Sequence, residues 1–341
     1  MKKYSFPKHV CIIAEIGVNH NGSENTAIEL IKKAKKCGAD VVKFQLFSAD
    51  SLITKSANKP QYIKTNKKLK SKSQFQILKK LELPIKSIKK LRDFCKKIDI
   101  EFLISPFDIG SIQEIRKLRL NVIKIPSGEI NNYPYLREIG KLNKRVILST
   151  GMSNLNEIKR AIHILQKFGT KKNKITLLHC TTDYPTKAED VNLNAMITMR
   201  EKLKTQVGYS DHTNGTAIAI AAATLGACII EKHFTLNKNM NGPDHKASLE
   251  PAEFSSMVKS VREVSQAFGH GEKIPTSSEM KNINLVRKSI VAKRNIKKNE
   301  LFNEENITTK RPGSGISPMK WNQIIGKKSK RKYNFDDIIK E

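Results

Sequence analysis

The chain has 341 residues, of which 38% are hydrophobic and 28% charged, enough to bury one large core and leave room for a second, small domain. No stretch approaches the roughly 18 to 20 apolar residues of a membrane span, so no membrane partner is expected. The net charge of +31 first suggests a polyanion partner, but its lysines are spread over predicted helix faces such as KKAKKCG and IKSIKKLRDFCKK, without an RGG tract, an aromatic-interleaved basic stripe or zinc-finger spacing. A solvated lysine-rich surface and no nucleic acid is the reading adopted, with a basic RNA-binding protein kept as a competing one.

The first residues place lysines before the apolar run Val10 to Ala14, but the run is too short for a signal peptide and Glu15 interrupts it, so it reads as a strand. Five cysteines without a CxxC pair indicate a reducing, cytoplasmic setting and small buried side chains. From there short apolar runs alternate with segments of helical period. The runs are 10 to 18, 40 to 47, 100 to 107, 122 to 127, 145 to 150, 175 to 181, 206 to 211 and 228 to 234. Eight βα units predict an α/β fold of the TIM (β/α)8 barrel type. Residues 48 to 73, polar and lysine-rich, follow the second strand and are expected as a lid over the barrel mouth. The expected boundaries are a barrel over 1–270, a linker rich in Gly, Ser and charge over 271–284, and a small domain with short strands over 285–341.

In such a barrel the chemistry gathers at the C-terminal ends of the strands. Polar residues appear there on nearly every strand: Glu15; Lys43 and Gln45; Ser105; Lys124 and Ser127; Ser149 and Thr150; His179; Ser210 and His212; Glu231 and His233. Pairs spaced i, i+2 share a strand face, and a full ring of them is costly to bury unless it faces a wet, liganded site. Lys43 and Lys124 with Ser105, Ser127, Ser149 and Ser210 suit a phosphate or carboxylate. His212 and His233, on neighbouring strands, suit a divalent metal, with Glu15 and Glu231 close by.

The segments AEIGVNHNG, VKFQ, KIPSGE, LSTGM, GYSDHT, EKHFT, GPDHKAS and TKRPGSGIS, in that order, resemble the bacterial N-acetylneuraminate (sialic acid) synthase family, which includes the legionaminic acid synthases. ISPF stands where the family more often has STPF, so Ser105 supplies a hydroxyl in place of threonine. The resemblance implies a TIM barrel followed by an antifreeze-like (SAF) domain, in a domain-swapped homodimer. It implies Lys43, Ser105, Lys124, Ser127, Ser149 and Ser210 as phosphoenolpyruvate contacts, and His212 and His233 as ligands of Mn2+, with Mg2+ or Co2+ as alternatives. Glu15, Tyr184 and Asp244 would meet the sugar with Gln45 nearby, Glu231 would sit beside the metal, and Arg311 would reach the acetamido group from the partner chain.

The function so implied is N-acetylneuraminate synthase, condensing phosphoenolpyruvate with N-acetylmannosamine and water, with Glu15, Lys43, Lys124 and Glu231 as the catalytic set. The alternative is a legionaminate or pseudaminate synthase acting on a di-acetamido trideoxy hexose. A Schiff-base aldolase using Lys43 or Lys124 and an ice-binding C-terminal module are further readings.

Overall fold

Residues 9–64 and 71–340 are described by the computed structural model, so the start of the chain and part of the expected lid lie outside the described residues. Eight parallel strands form one sheet: β1 (Cys11–Gly17), β2 (Val41–Leu46), β3 (Glu101–Pro106), β4 (Val122–Ile125), β5 (Arg145–Ser149), β6 (Ile175–His179), β7 (Gln206–Asp211) and β8 (Ile229–His233). Their order is β3-β2-β1-β8-β7-β6-β5-β4, and β3 lies beside β4, so the sheet curls into a nearly closed barrel.

Alternation along the strands builds the interior in tiers. Cys11, Val41, Val122 and Cys228 lie around a middle tier of Ile13, Leu103, Ile147, Leu178 and Ile229. Two residues further along the strands the apolar fill stops and Glu15, Lys43, Ser105, Lys124, Ser149 and Glu231 take over, all buried. The opposite parity, including Ile12, Ala14, Ile16, Val42, Phe44, Ile123, Ile125 and Leu148, packs against the helices in the main core.

The helices form for readable reasons. In Glu24–Lys36, Ser23 caps the first turn by accepting from Thr26 N, lysines crowd the last turn, and Ala27, Leu30, Ile31 and Ala34 make one buried stripe. Helix Pro251–Ala267 buries Phe254, Met257, Val258 and Val261 at the same spacing. After β2 the expected lid carries two short helices, Ala49–Leu52 and Gln61–Lys64. Ile63 packs with Val18, Phe47, Ile77 and Leu81 in a small satellite core, so this stretch is anchored. Among the described residues no helix is long and apolar enough to cross a membrane.

The chain divides into two units, Met1–Gly269 and His270–Glu341. Part of the segment expected as a linker, 271–284, is helical: Ser277–Val286 starts on a reciprocal cap between Thr276 and Glu279. The second unit pairs β9 (Ser289–Ala292) with β10 (Ile307–Lys310) in antiparallel register. Its own core comprises Ile290, Ala292, Ile296, Phe302, Ile307, Ile324, Tyr333 and Ile339.

Candidate active site

Four charged side chains form the floor of the barrel mouth. Lys43 Nζ lies 3.0 Å from Glu15 Oε2 and 3.3 Å from Glu231 Oε1, and Lys124 Nζ lies 3.1 Å from the same Glu231 oxygen. Ser210 Oγ donates to Glu231 Oε1 at 2.9 Å, and Lys43 donates to Ser105 Oγ at 3.5 Å. The strand register makes these contacts unavoidable, because Glu15 sits opposite Lys43 and Ser210 opposite Glu231.

The two carboxylates differ in proton affinity. Burial raises both, but Glu231 faces Lys124 and Lys43 together and accepts from Ser210, which holds it well below the ordinary carboxylate range. Glu15 faces Lys43 alone at close range, and burial wins, so its pKa is raised. Burial pushes both ammoniums down; for Lys43 the two carboxylates more than reverse this, whereas Lys124 stays lowered. Glu15 is therefore the member of the cluster that readily carries a proton, and Gln45 Nε2 donates to its Oε1 at 3.1 Å.

Gly17 makes this arrangement possible. Its φ is +53°, and an added Cβ would come within 2.9 Å of Glu15 Oε1 and 3.2 Å of Gln45 Nε2. Gly17→Ala is expected to lower kcat by about 10²-fold through displacement of the Glu15 carboxyl, with a stability loss of only about 1–2 kcal/mol from the left-handed backbone. Steady-state rates and thermal melts separate the two effects; a variant with unimpaired turnover would show that the Glu15 position is not critical.

Beside this floor stand two imidazoles. His212 Nδ1 lies 2.6 Å from the Thr181 carbonyl, which only accepts, so Nδ1 carries the proton and Nε2 presents its lone pair, 3.4 Å from Ser210 Oγ. The His212 and His233 ring centroids are 5.6 Å apart, and the Tyr184 ring lies 4.2 Å from that of His212, tilted by 32°. Burial holds His212 down to about 4 and His233 also well below its ordinary value, so both are neutral. Buried His233 Nδ1 has no hydrogen-bond partner, and neither does Glu231 Oε2; Asp244 Oδ2 is 3.9 Å from that ring nitrogen. Burial and the nearby Glu15 raise Asp244 to about 7. Two neutral imidazoles with an orphaned nitrogen fit a divalent cation. Among the described residues no group of three or more His, Cys, Asp or Glu is placed to hold a metal ion, so the two imidazoles stand as a pair.

The other expected residues fall as follows. Ser149 is buried at the end of β5. Ser127, in the short turn after β4, accepts from Gly151 N at 3.0 Å and lies 3.3 Å from Cys180 Sγ. Arg311 belongs to the second unit and is exposed there. His179 and Thr150, expected in the ring, face outward instead. His179 shares the parity of Leu177, and its Nε2 lies 2.6 Å from Val191 O; Thr150 Oγ1 donates to Leu178 O.

A buried polar cluster that no strand-end pattern marks in the sequence supports Asp244. Asn19 Nδ2 donates to Phe234 O and Ser248 Oγ, and Ser248 Oγ donates to the Asp244 carbonyl. His20 Nδ1 accepts from Gly22 N, and His245 Nδ1 pairs with Thr235 Oγ1 at 2.7 Å. Burial lowers His20 to about 4. Between pH 6.5 and 4 the unfolded chain takes up a proton here that the folded protein refuses, so stability falls as the pH drops. His20→Gln is expected to lose about 2 kcal/mol less between pH 7 and 5 than the parent, read from denaturant titrations at both pH values. Equal losses would show that His20 does not contribute to acid sensitivity.

The family model described as NeuB family matches residues 30–273, and that of the SAF domain matches 287–340. The chain is 52% identical over 98% of its length to the N,N'-diacetyllegionaminic acid synthase of Campylobacter jejuni subsp. jejuni, covering 100% of that protein. It is 42% identical over 92% of its length to the enzyme of the same name from Legionella pneumophila, covering 89% of it. A crystal structure of the N-acetylneuraminic acid (sialic acid) synthetase of Leptospira borgpetersenii serovar Hardjo-bovis, in complex with citrate, superposes with a TM-score of 0.70 at 30% identity, covering 83% of this chain and 94% of that one. The legionaminic alternative is favoured over the N-acetylneuraminate synthase expected first from the sequence, because identity to these two synthases, 52% and 42%, exceeds the 34% to the N-acetylneuraminate-9-phosphate synthase of Homo sapiens. The chain belongs to the NeuB family of sialic acid synthases, enzymes of the phosphoenolpyruvate-dependent nonulosonate synthase class, and carries a SAF domain.

Proposed function

We propose that this enzyme condenses phosphoenolpyruvate with a di-acetamido trideoxy hexose and water to give N,N'-diacetyllegionaminic acid and phosphate. The observation that carries the acceptor is the 52% identity to the Campylobacter synthase across the whole of that protein. The chemistry rests on the buried cluster of Glu15, Lys43, Lys124 and Glu231.

Lys43 and Lys124, with the hydroxyls of Ser105, Ser127, Ser149 and Ser210, bind the phosphate and carboxylate of phosphoenolpyruvate. The methylene carbon of phosphoenolpyruvate attacks the aldehyde carbon of the open-chain sugar, and the new hydroxyl oxygen takes its proton from Glu15. Water then adds to C2; Glu15, now a carboxylate, receives the proton that water gives up. The tetrahedral carbon collapses to the ketone, breaking the C–O bond to phosphate, and the leaving phosphate carries away the C2 hydroxyl proton while the two lysines stabilise its charge. His212 Nε2 and His233 Nδ1 would hold a divalent cation, Mn2+ for preference, which when bound supplies Lewis-acid polarisation of the aldehyde oxygen. Gln45, Tyr184 and Asp244 orient the sugar, with the Tyr184 ring also fixing the plane of His212.

A domain-swapped homodimer, in which Arg311 of one chain meets the acetamido group of sugar bound to the other, belongs to the same proposal. Met280, Leu285 and Val286 on helix Ser277–Val286 are exposed, which supports a partner surface there. Sedimentation is expected to give a dimer. The acceptor is tested by measuring kcat/KM for the di-acetamido sugar and N-acetylmannosamine side by side. The di-acetamido sugar is expected to be preferred by at least about 10-fold, the effect of roughly 1.4 kcal/mol of added recognition. Preference for N-acetylmannosamine would return the enzyme to sialic acid synthesis.

A further inference from the structure

An ion pair that no step of the reaction uses lies behind the two histidines, on the outward faces of β7 and β8. Asp211 and Lys232 are both 0% exposed and form the last cross-strand pair in the β7–β8 ladder. Lys232 Nζ lies 2.7 Å from Asp211 Oδ2 and donates to the Thr213 carbonyl at 2.6 Å. Asp211 Oδ1 accepts from Thr213 N at 2.9 Å and from Thr213 Oγ1 at 2.8 Å.

These contacts grip the chain on both sides of His212, since Asp211 precedes it and Thr213 follows it. The same lysine immediately precedes His233. Strand alternation turns Asp211 and Lys232 away from the mouth while Ser210, Glu231 and His233 face it, so the pair cannot touch substrate. Stability alone does not account for it, because a buried ion pair is often matched or bettered by an apolar pair of the same volume. What it adds is a fixed relation between two strand ends where the backbone ladder stops.

We propose that Asp211, Lys232 and Thr213 form a positioning clamp that sets the spacing and orientation of His212 and His233. Its effect on cation affinity rests on the reading that these histidines hold the cation. The clamp itself rests on geometry alone.

The test uses the full-length Asp211→Asn/Lys232→Met variant. Asparagine Oδ1 keeps both bonds from Thr213, methionine keeps the lysine stem, and no charge is left buried and unpaired. Mn2+ binding is followed by electron paramagnetic resonance, phosphoenolpyruvate binding without metal by calorimetry, and folding by thermal melt. The clamp predicts Mn2+ affinity weakened about 10–100-fold, the range for lost supporting contacts at metal sites, with phosphoenolpyruvate binding unchanged. A folded variant with parental Mn2+ affinity would overturn it. Should the parent enzyme bind no Mn2+, the cation reading fails by itself. The clamp is then decided by the 15N ring signals of His212 and His233 in metal-free protein, which it predicts to shift or broaden in the variant and which overturn it if they stay put. Should the double variant not fold, Thr213→Val, which removes one donor to Asp211, gives the same readouts: weaker Mn2+ binding supports the clamp and parental binding overturns it.

Discussion

Lys43→Met is expected to reduce kcat/KM for phosphoenolpyruvate by about 10³-fold, the upper end of what one charge-stabilising donor contributes in a dry site. Lys43 is the hinge of the cluster, touching Glu15, Glu231 and Ser105 at once. Without it the two carboxylates face each other across the mouth, and in the proposed reaction the phosphate would lose one of its two ammonium partners and Glu15 would be held protonated too firmly to act as a base. The stability loss is expected at or below the roughly 3–5 kcal/mol of a broken buried pair, because Glu231 keeps Lys124 and Ser210 and Glu15 can take up a proton. Initial rates across a phosphoenolpyruvate series, beside a thermal melt, provide the check. Turnover within about 10-fold of the parent, an effect of less than roughly 1.4 kcal/mol, would place the phosphate elsewhere.

His233→Ala should show the opposite balance, with a large loss of function at small cost in stability. Its Nδ1 is buried without a partner, so removing the ring relieves an unpaired polar atom while giving up its packing. The expected outcome is loss of measurable Mn2+ binding and a fall in kcat of at least about 10³-fold, since cation polarisation of a carbonyl contributes several kcal/mol. His212→Ala should match it in function but cost more stability, because it also abandons the Thr181 carbonyl and gives up the closer of the two ring contacts to Tyr184, 4.2 Å against 5.8 Å for His233. Exhaustive chelation of the parent enzyme should reproduce the loss of turnover and Mn2+ should restore it; full activity after chelation would remove the cation from the account.

Much of this site could be read from the chain because each strand carries its polar residue where an apolar one would continue the pattern. Ile13 then Glu15, Leu103 then Ser105, Ile147 then Ser149, and Ile229 then Glu231 each mark the height at which the core ends and the mouth begins. Parity is harder to read where both faces are apolar. In β6 the consecutive Leu177 and Leu178 conceal which face is inward, and this put His179 in the ring although it faces Val191. The Asp211–Lys232 pair was hidden for a related reason: both lie inside motifs, YSDHT and EKHF, whose neighbours do face the mouth. Helix Ser277–Val286 was masked by composition, since Gly, Ser and charge suggested a linker, although the Thr276 and Glu279 spacing that caps it is written in the sequence. The acceptor was not legible from the strand ends, because carboxylates, lysines, hydroxyls and imidazoles there suit anions, cations and hydroxyl groups in general and do not single out one sugar.

The most direct test of the central claim uses phosphoenolpyruvate carrying 18O in the bridge between C2 and phosphorus, with the di-acetamido sugar and Mn2+. The account predicts that phosphate appears only when the sugar is present, in step with a nine-carbon acid, and that the phosphate retains the label because the C–O bond breaks. Phosphate released without sugar, or free of label, would contradict it.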